Sequence, residues 1–291
     1  MECREKKNRR KFLKTMWGGA VVFAGGMLGF PFGACAPDGS KPTAKDVLEL
    51  DLDTLPEMTP EEIRDFQRDA DQATRDYLAQ EKDQGRQDDA IPGDSHEPDV
   101  GGDDAASRRP RVPPGQNVLE TLIVFGRNPN PRSIADWRLY VRGEVAEEVD
   151  IGWGDFMALP RVTRTVDVHC VTGWSVLDVP FEGVLVSDLL ALARPSSNAR
   201  FVVFDCEQGY TTNAPLAEAM KDNVLVASAM FGEALSPQHG APARGVVPDL
   251  YFYKSGKWIK GLRVLSEDEP GYWETRGYSN TADPWKEERY S

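Results

Sequence analysis

The feature that most constrains the fold is a change of pattern near Val118. From there to the C-terminus short apolar runs alternate with turns. The stretch before it, DQGRQDDAIPGDSHEPDVGGDDAAS (83–107), has almost no apolar side chain and cannot bury enough surface to offset its ordering entropy. DWRLYVRG (136–143) reads as a strand. TRTVDVHC (163–170) alternates, with Val166, Val168 and Cys170 on one face and Asp167 and His169 on the other. ARFVVFDC (199–206) and VLVASAMF (224–231) read as buried strands. VSDLLALA (186–193) reads as a helix capped by Ser187, and NAPLAEAMK (213–221) as one capped by Asn213, with Pro215 near its first turn. Strands outnumber helices and no repeat is present, so the expected class is α+β with a mixed sheet.

Three regions follow: 1–35, 36–117 and 118–291. Charge divides along similar lines, with net values of +4 for residues 1–40, −11 for 41–110 and −6 for 111–291. The folded region thus lacks the basic footprint of a nucleic-acid binder, and its acidity repels phosphate backbones. In the first region Asn8-Arg9-Arg10-Lys11-Phe12-Leu13-Lys14 matches the twin-arginine export pattern, with Asn where Ser or Thr is usual, and a Gly-rich apolar run follows. That run makes a poor spanning helix, so export to the periplasm or another extracytoplasmic space is expected. Gly33-Ala34-Cys35 resembles a lipoprotein cleavage site, which would leave Cys35 as a lipid anchor. The acidic middle region reads as a largely disordered spacer. Thr59-Pro60-Glu61-Glu62 opens one helix in it, with Ile63, Phe66, Ala70, Ala73 and Tyr77 on one face.

Removal of the first region takes Cys3 with it and leaves Cys170 and Cys206 in the folded part. In an exported protein two such cysteines are compatible with a disulfide, a buried thiol or a metal ligand. No CxxC spacing supports metal binding by the protein alone.

The segment HCVTGWSVLDVPFEGVLVSDLLALARP (169–195), with HGAPARGVVPDLYFYKSGKWIKGLRVLSEDEPGYWETRGYSNTADPWKEERY (239–290), resembles the molybdopterin-binding domain of the sulfite oxidase family, in its small exported, haem-free form. The resemblance covers residues 118–291. It implies an oxidoreductase with a Mo-molybdopterin cofactor, in which Cys170 is the one protein ligand of molybdenum. A thiolate suits that role, since soft sulfur donors hold a redox-active metal. Export by the twin-arginine route fits a cofactor inserted before the folded protein is carried out. The resemblance places the cofactor's phosphate against His239, Arg244, Ser255, Gly256 and Lys257, where arginine gives a forked charge-assisted pair and lysine a point charge. It also implies a catalytic tyrosine at Tyr278 and an arginine near the metal at Arg127, and it puts Thr211 in the cofactor cleft. His169 is expected to point away from Cys170, and Cys206 to be structural.

Two departures bear on the substrate. Sulfite oxidases carry arginines just after the metal-binding cysteine, whereas Val171-Thr172-Gly173-Trp174-Ser175 has no charge. Electrostatic capture of an anion is thereby weakened, and Trp174 suggests an apolar mouth suited to a neutral sulfoxide. The expected reaction is oxygen-atom transfer such as sulfoxide reduction; sulfite oxidation, or a cofactor-free lipid-anchored binding module, are the alternatives. The chain also ends soon after DPWKEERYS and carries no haem-attachment motif. A separate electron-transfer partner is therefore expected, a cytochrome or a membrane quinone protein.

Overall fold

The structure is a computed structural model that describes residues 110–124 and 133–291, together with Arg68, Gln72 and Asp76. The expected export signal, Cys35, most of the expected spacer helix and Arg127 lie outside the described residues.

Two mixed sheets form the body. Among the described residues the first contains β1 (Asn117–Leu119), β4 (Val162–His169), β5 (Trp174–Leu185), β8 (Leu225–Met230), β9 (Glu233–Ala234) and β10 (Arg244–Val246). The second runs β3 (Val149–Gly152), β2 (Arg138–Gly143), β11 (Ile259–Leu265), β6 (Phe201–Cys206), β7 (Thr211–Pro215). Most pairs are antiparallel. β1 with β5 and β2 with β11 are parallel, which makes both sheets mixed, as expected from the sequence. Among the described residues three short helices connect them: α1 (Trp153–Ala158), α2 (Val186–Ala193) and α3 (Leu216–Ala219).

β5 organises the site. Its long run of twelve residues pairs with β4 along most of its length, with β8 at its C-terminal half and with β1 at Trp174–Val176. The expected alternation of β4 holds: Val166, Val168 and Cys170 enter one apolar cluster with Val176, Val179, Phe181, Leu225, Tyr251 and Tyr278. A register shift between Val166 and Val168 bends the strand just before it reaches Cys170. A second cluster, around Trp137, Phe156, Leu189, Phe204 and Leu262, fills the space under the other sheet. Complete burial of a side chain such as Phe181 or Phe204 contributes about 1.5–3 kcal/mol each.

Both helix caps differ from the sequence expectation. β5 runs straight into α2, so Leu185 takes the cap position and Ser187 lies inside the helix. The first amide needs no side chain there, because Val186 N–H donates to Val224 O at 3.0 Å. Asn213 is a strand residue of β7, and α3 begins only at Leu216, whose amide donates to Arg200 O at 2.7 Å. In each case a backbone carbonyl from a neighbouring element does what the sequence assigned to a cap. The packed chain also starts earlier than 118: Arg111 bonds Asp167 and Asp178, and Trp285 Nε1 donates to Pro110 O at 2.6 Å.

Candidate active site

Cys170 sits at the end of β4 in the turn that leads into β5, 7% exposed. Its amide donates to Trp174 O at 2.8 Å, and Gly173 N–H returns to Cys170 O at 3.1 Å. Thr172 Oγ1 lies 3.3 Å from its Sγ. Cys170 and Cys206 are both thiols, not joined to each other. The disulfide that composition left open is absent, and with it the main argument for a cofactor-free binding module.

Cys206 is buried, and burial pushes its thiol well above the ordinary range, so it stays neutral. It packs under the turn Ser255-Gly256-Lys257, where a Cβ on Gly256 would lie 2.6 Å from Cys206 Sγ. Only glycine lets that turn approach β6 so closely. Gly240, at φ +104°, likewise lets the His239 turn approach Lys257.

These close approaches gather three basic side chains. Arg244 is 2% exposed, and its guanidinium donates to the carbonyls of His239 (3.1 Å), Ser255 (2.8 Å) and Gly245 (3.3 Å). Its cation lies 4.4 Å from the Phe252 ring centroid and 5.9 Å from that of Phe181, which links the group to the Cys170 cluster. Burial lowers Arg244 to about 10. Burial and the charge of Arg244 push Lys257 down to about 7, and burial, Arg244 and Lys257 together lower His239. Cations that repel one another while desolvated form a site that an anion would complete. That donor set fits the phosphate of a pterin cofactor. Ser255 is turned inward, its Oγ accepting from Val247 N–H at 2.9 Å, so it shapes the turn rather than presenting its hydroxyl outward. Thr211 is half-buried, and its carbonyl accepts from Tyr272 N–H at 2.9 Å.

Tyr278 shares the apolar cluster with Cys170 and is 5% exposed. Tyr253 and Trp273 flank its ring, each with centroids at 5.1 Å. A buried polar network supports this loop. Lys254, just before the Ser255 turn, pairs with Glu274 (Nζ–Oε1 2.5 Å) and with Asn213 Oδ1 (2.7 Å); the two side chains of the pair are 0% and 1% exposed. Asn213 Nδ2 also reaches Asp268 and Asn280, beside Tyr278. The structure thus connects Cys170, the cationic turn and Tyr278.

Two expectations are modified. Trp174 is 1% exposed and belongs to the apolar cluster, because β1 runs alongside Trp174–Val176; it forms core, not mouth. Its buried Nε1–H has no hydrogen-bond acceptor among the described residues. The segment after Cys170 carries no charge of its own, but Arg289 from the C-terminal tail donates to Val171 O. Sequence reasoning also missed Gln116, whose amide reaches Cys170 O at 3.1 Å. No local spacing marks either residue. His169 points away from Cys170 as expected: it is 1% exposed, with Nδ1 2.8 Å from Ser175 Oγ and its ring edge-on to Trp285.

The sequence pattern of the oxidoreductase molybdopterin-binding domain matches residues 126–273. A Bacillus subtilis (strain 168) protein named uncharacterized oxidoreductase YuiH is 41% identical over 183 residues, which cover 62% of this chain and 92% of that relative. The crystal structure of the sulfane dehydrogenase SoxCD from Paracoccus pantotrophus aligns with a TM-score of 0.45 at 24% identity, over 50% of this chain and 41% of that one. The chain therefore spans less than half of that larger protein. By the extent of the family match and of the YuiH alignment, the chain belongs to the molybdopterin-binding oxidoreductases, enzymes that work with a Mo-molybdopterin cofactor.

Proposed function

We propose that the protein is an exported oxidoreductase that transfers an oxygen atom on a small substrate, with sulfoxide reduction as the preferred reaction. The observation that carries the site assignment is a buried thiol, Cys170, in one apolar cluster with Tyr278 and linked through Phe181 and Phe252 to the buried guanidinium of Arg244, beside which His239 and Lys257 converge. Cys170 would hold the molybdenum, and Arg244, His239 and Lys257, with the Ser255-Gly256-Lys257 turn, would hold the phosphate. When bound, the cofactor supplies two-electron oxygen-atom transfer. The chain's residues bind, orient and exclude water. Tyr278, wedged between Tyr253 and Trp273, would present its hydroxyl to the substrate oxygen in one fixed direction. In sulfoxide reduction the S–O bond breaks and the oxygen leaves as water, with two electrons from a separate partner and two protons from solvent. Arg127 falls in the matched region and is proposed as a second substrate-facing group.

One observation favours the second reading, sulfite oxidation. Arg289 brings a cation to the uncharged turn after Cys170, so the turn is less hostile to an anion than its own residues suggest. Parallel assays of a methyl sulfoxide with a reducing dye and of sulfite with an oxidising dye decide between them. Sulfoxide turnover lost in Cys170→Ala supports the preferred reaction, and robust sulfite oxidation replaces it with the second. If full-length protein from a cofactor-competent host contains neither molybdenum nor pterin, the site assignment fails.

A further inference from the structure

We infer that Gln116 and Arg289 are positioning residues that together clamp the Cys170 turn and set it in register with Tyr278. The inference rests on the reading of Cys170 as the metal-holding thiol. It concerns what holds that thiol in place.

Three carbonyls of the turn, those of Cys170, Val171 and Gly173, accept hydrogen bonds from two remote segments. Cys170 O accepts from Gln116 Nε2 at 3.1 Å. Val171 O accepts from Arg289, which also reaches Gly115 O at 3.4 Å. Gly173 O accepts from Asn117 twice, from the backbone amide at 2.8 Å and from Nδ2 at 3.2 Å. Arg289 thereby bonds both the turn and the segment that grips the turn. A charge-assisted bond to a partly buried carbonyl is among the stronger contacts available to it.

The Gln116 contact also has a fixed sense. A carbonyl oxygen can only accept, so the amide nitrogen of Gln116 must face Cys170 O and its Oε1 must face Ser175. Ser175 Oγ then donates to Oε1 at 3.1 Å, which spends its only proton. His169 Nδ1, 2.8 Å from that oxygen, must be the donor. The polarity of three side chains is thus dictated by the carbonyl of the candidate metal ligand.

The tail that carries Arg289 is tied to Tyr278 as well. Ser279 N–H donates to Arg289 O at 3.1 Å, Ser291 N–H to Gly277 O at 3.0 Å, and Tyr278 bridges Tyr290 with ring centroids 5.6 Å apart. Arg289 therefore spans the thiol on one side and the tyrosine loop on the other. Displacing it frees the turn and the tyrosine loop from each other.

The test is alkylation of full-length protein made without cofactor, following Cys170 and Cys206 separately by mass spectrometry. Gln116→Ala and Arg289→Ala are expected to speed labelling of Cys170 by about tenfold relative to wild type, with Cys206 unchanged. Arg289→Lys, which keeps the charge and one donor, is expected to restore most of the protection. A global loss of structure would accelerate both cysteines together. A Cys170 rate that rises less than threefold, or rises no more than that of Cys206, overturns the clamp. Molybdenum content of wild type and Cys170→Ala, measured on protein from a competent host, tests the underlying reading separately. A failed clamp and a failed metal assignment thus give different results.

Discussion

The buried pair Lys254–Glu274 can lose one of its charges with little change of shape. Glu274→Gln keeps the side-chain shape and one acceptor oxygen but removes the charge that faces a fully buried ammonium. What remains for Lys254 is a neutral amide oxygen on Asn213 at 2.7 Å and the new amide oxygen. Removing one partner of a buried pair costs about 3–5 kcal/mol, and the retained acceptor puts this case near 3 kcal/mol. With a urea dependence of about 2 kcal/mol per molar, the midpoint of cofactor-free protein should fall by about 1.5 M. Burial already holds Lys254 below the usual lysine range, with Glu274 opposing it, and removal of Glu274 lowers it further. The deficit should therefore shrink as pH rises and Lys254 sheds its proton. A drop of under about 0.3 M, flat with pH, would refute the reasoning and mean that water reaches the pair.

Three further outcomes are expected. Cys170→Ala should abolish turnover and molybdenum retention with the urea midpoint changed by less than about 1 kcal/mol equivalent, because the thiol lies at the edge of its cluster; activity in the variant counts against the metal assignment. Gly256→Ala should destabilise by about 1–3 kcal/mol through its clash with Cys206 Sγ, and Cys206→Ala in the same chain should recover a large part of that, read by thermal melting. Lys257, pushed to about 7 in the folded protein, leaves the native state with fewer bound protons than the unfolded chain between about 7 and 10.4. Its unfavourable contribution is complete below pH 7 and is relieved as pH rises through that window. Stability of cofactor-free wild type relative to Lys257→Met should accordingly climb from pH 7 to 10, and a falling difference would contradict the assignment.

The parts of the site visible in the sequence are those whose chemistry is local. The alternation of residues 163–170 puts Cys170 on the apolar face, and the resemblance to the sulfite oxidase family marks His239, Arg244 and the Ser255-Gly256-Lys257 turn, which lie within one short stretch. Gln116 and Arg289 were not visible, because each acts on a backbone carbonyl 54 or 118 positions away and backbone carbonyls leave no trace in residue identity. The same reason explains the caps. Ser187 and Asn213 had the right chemistry, but Val224 O and Arg200 O had already satisfied the helix amides. Trp174 suggests a mouth from sequence because nothing in its neighbours announces that a parallel strand lies beside it.

That parallel strand has a practical consequence for where the protein can be cut. A fragment starting at residue 118, the boundary that composition suggests, would retain both sheets yet lose Gln116 and the Asn117 contacts, leaving the Cys170 turn with Arg289 alone of the external donors described above. A fragment starting at 110 retains them. Pro110 and Arg111 fasten the start of that fragment to Trp285, Asp167 and Asp178. A pull along the chain from upstream meets these anchors before it reaches Gln116 and the turn that holds the thiol.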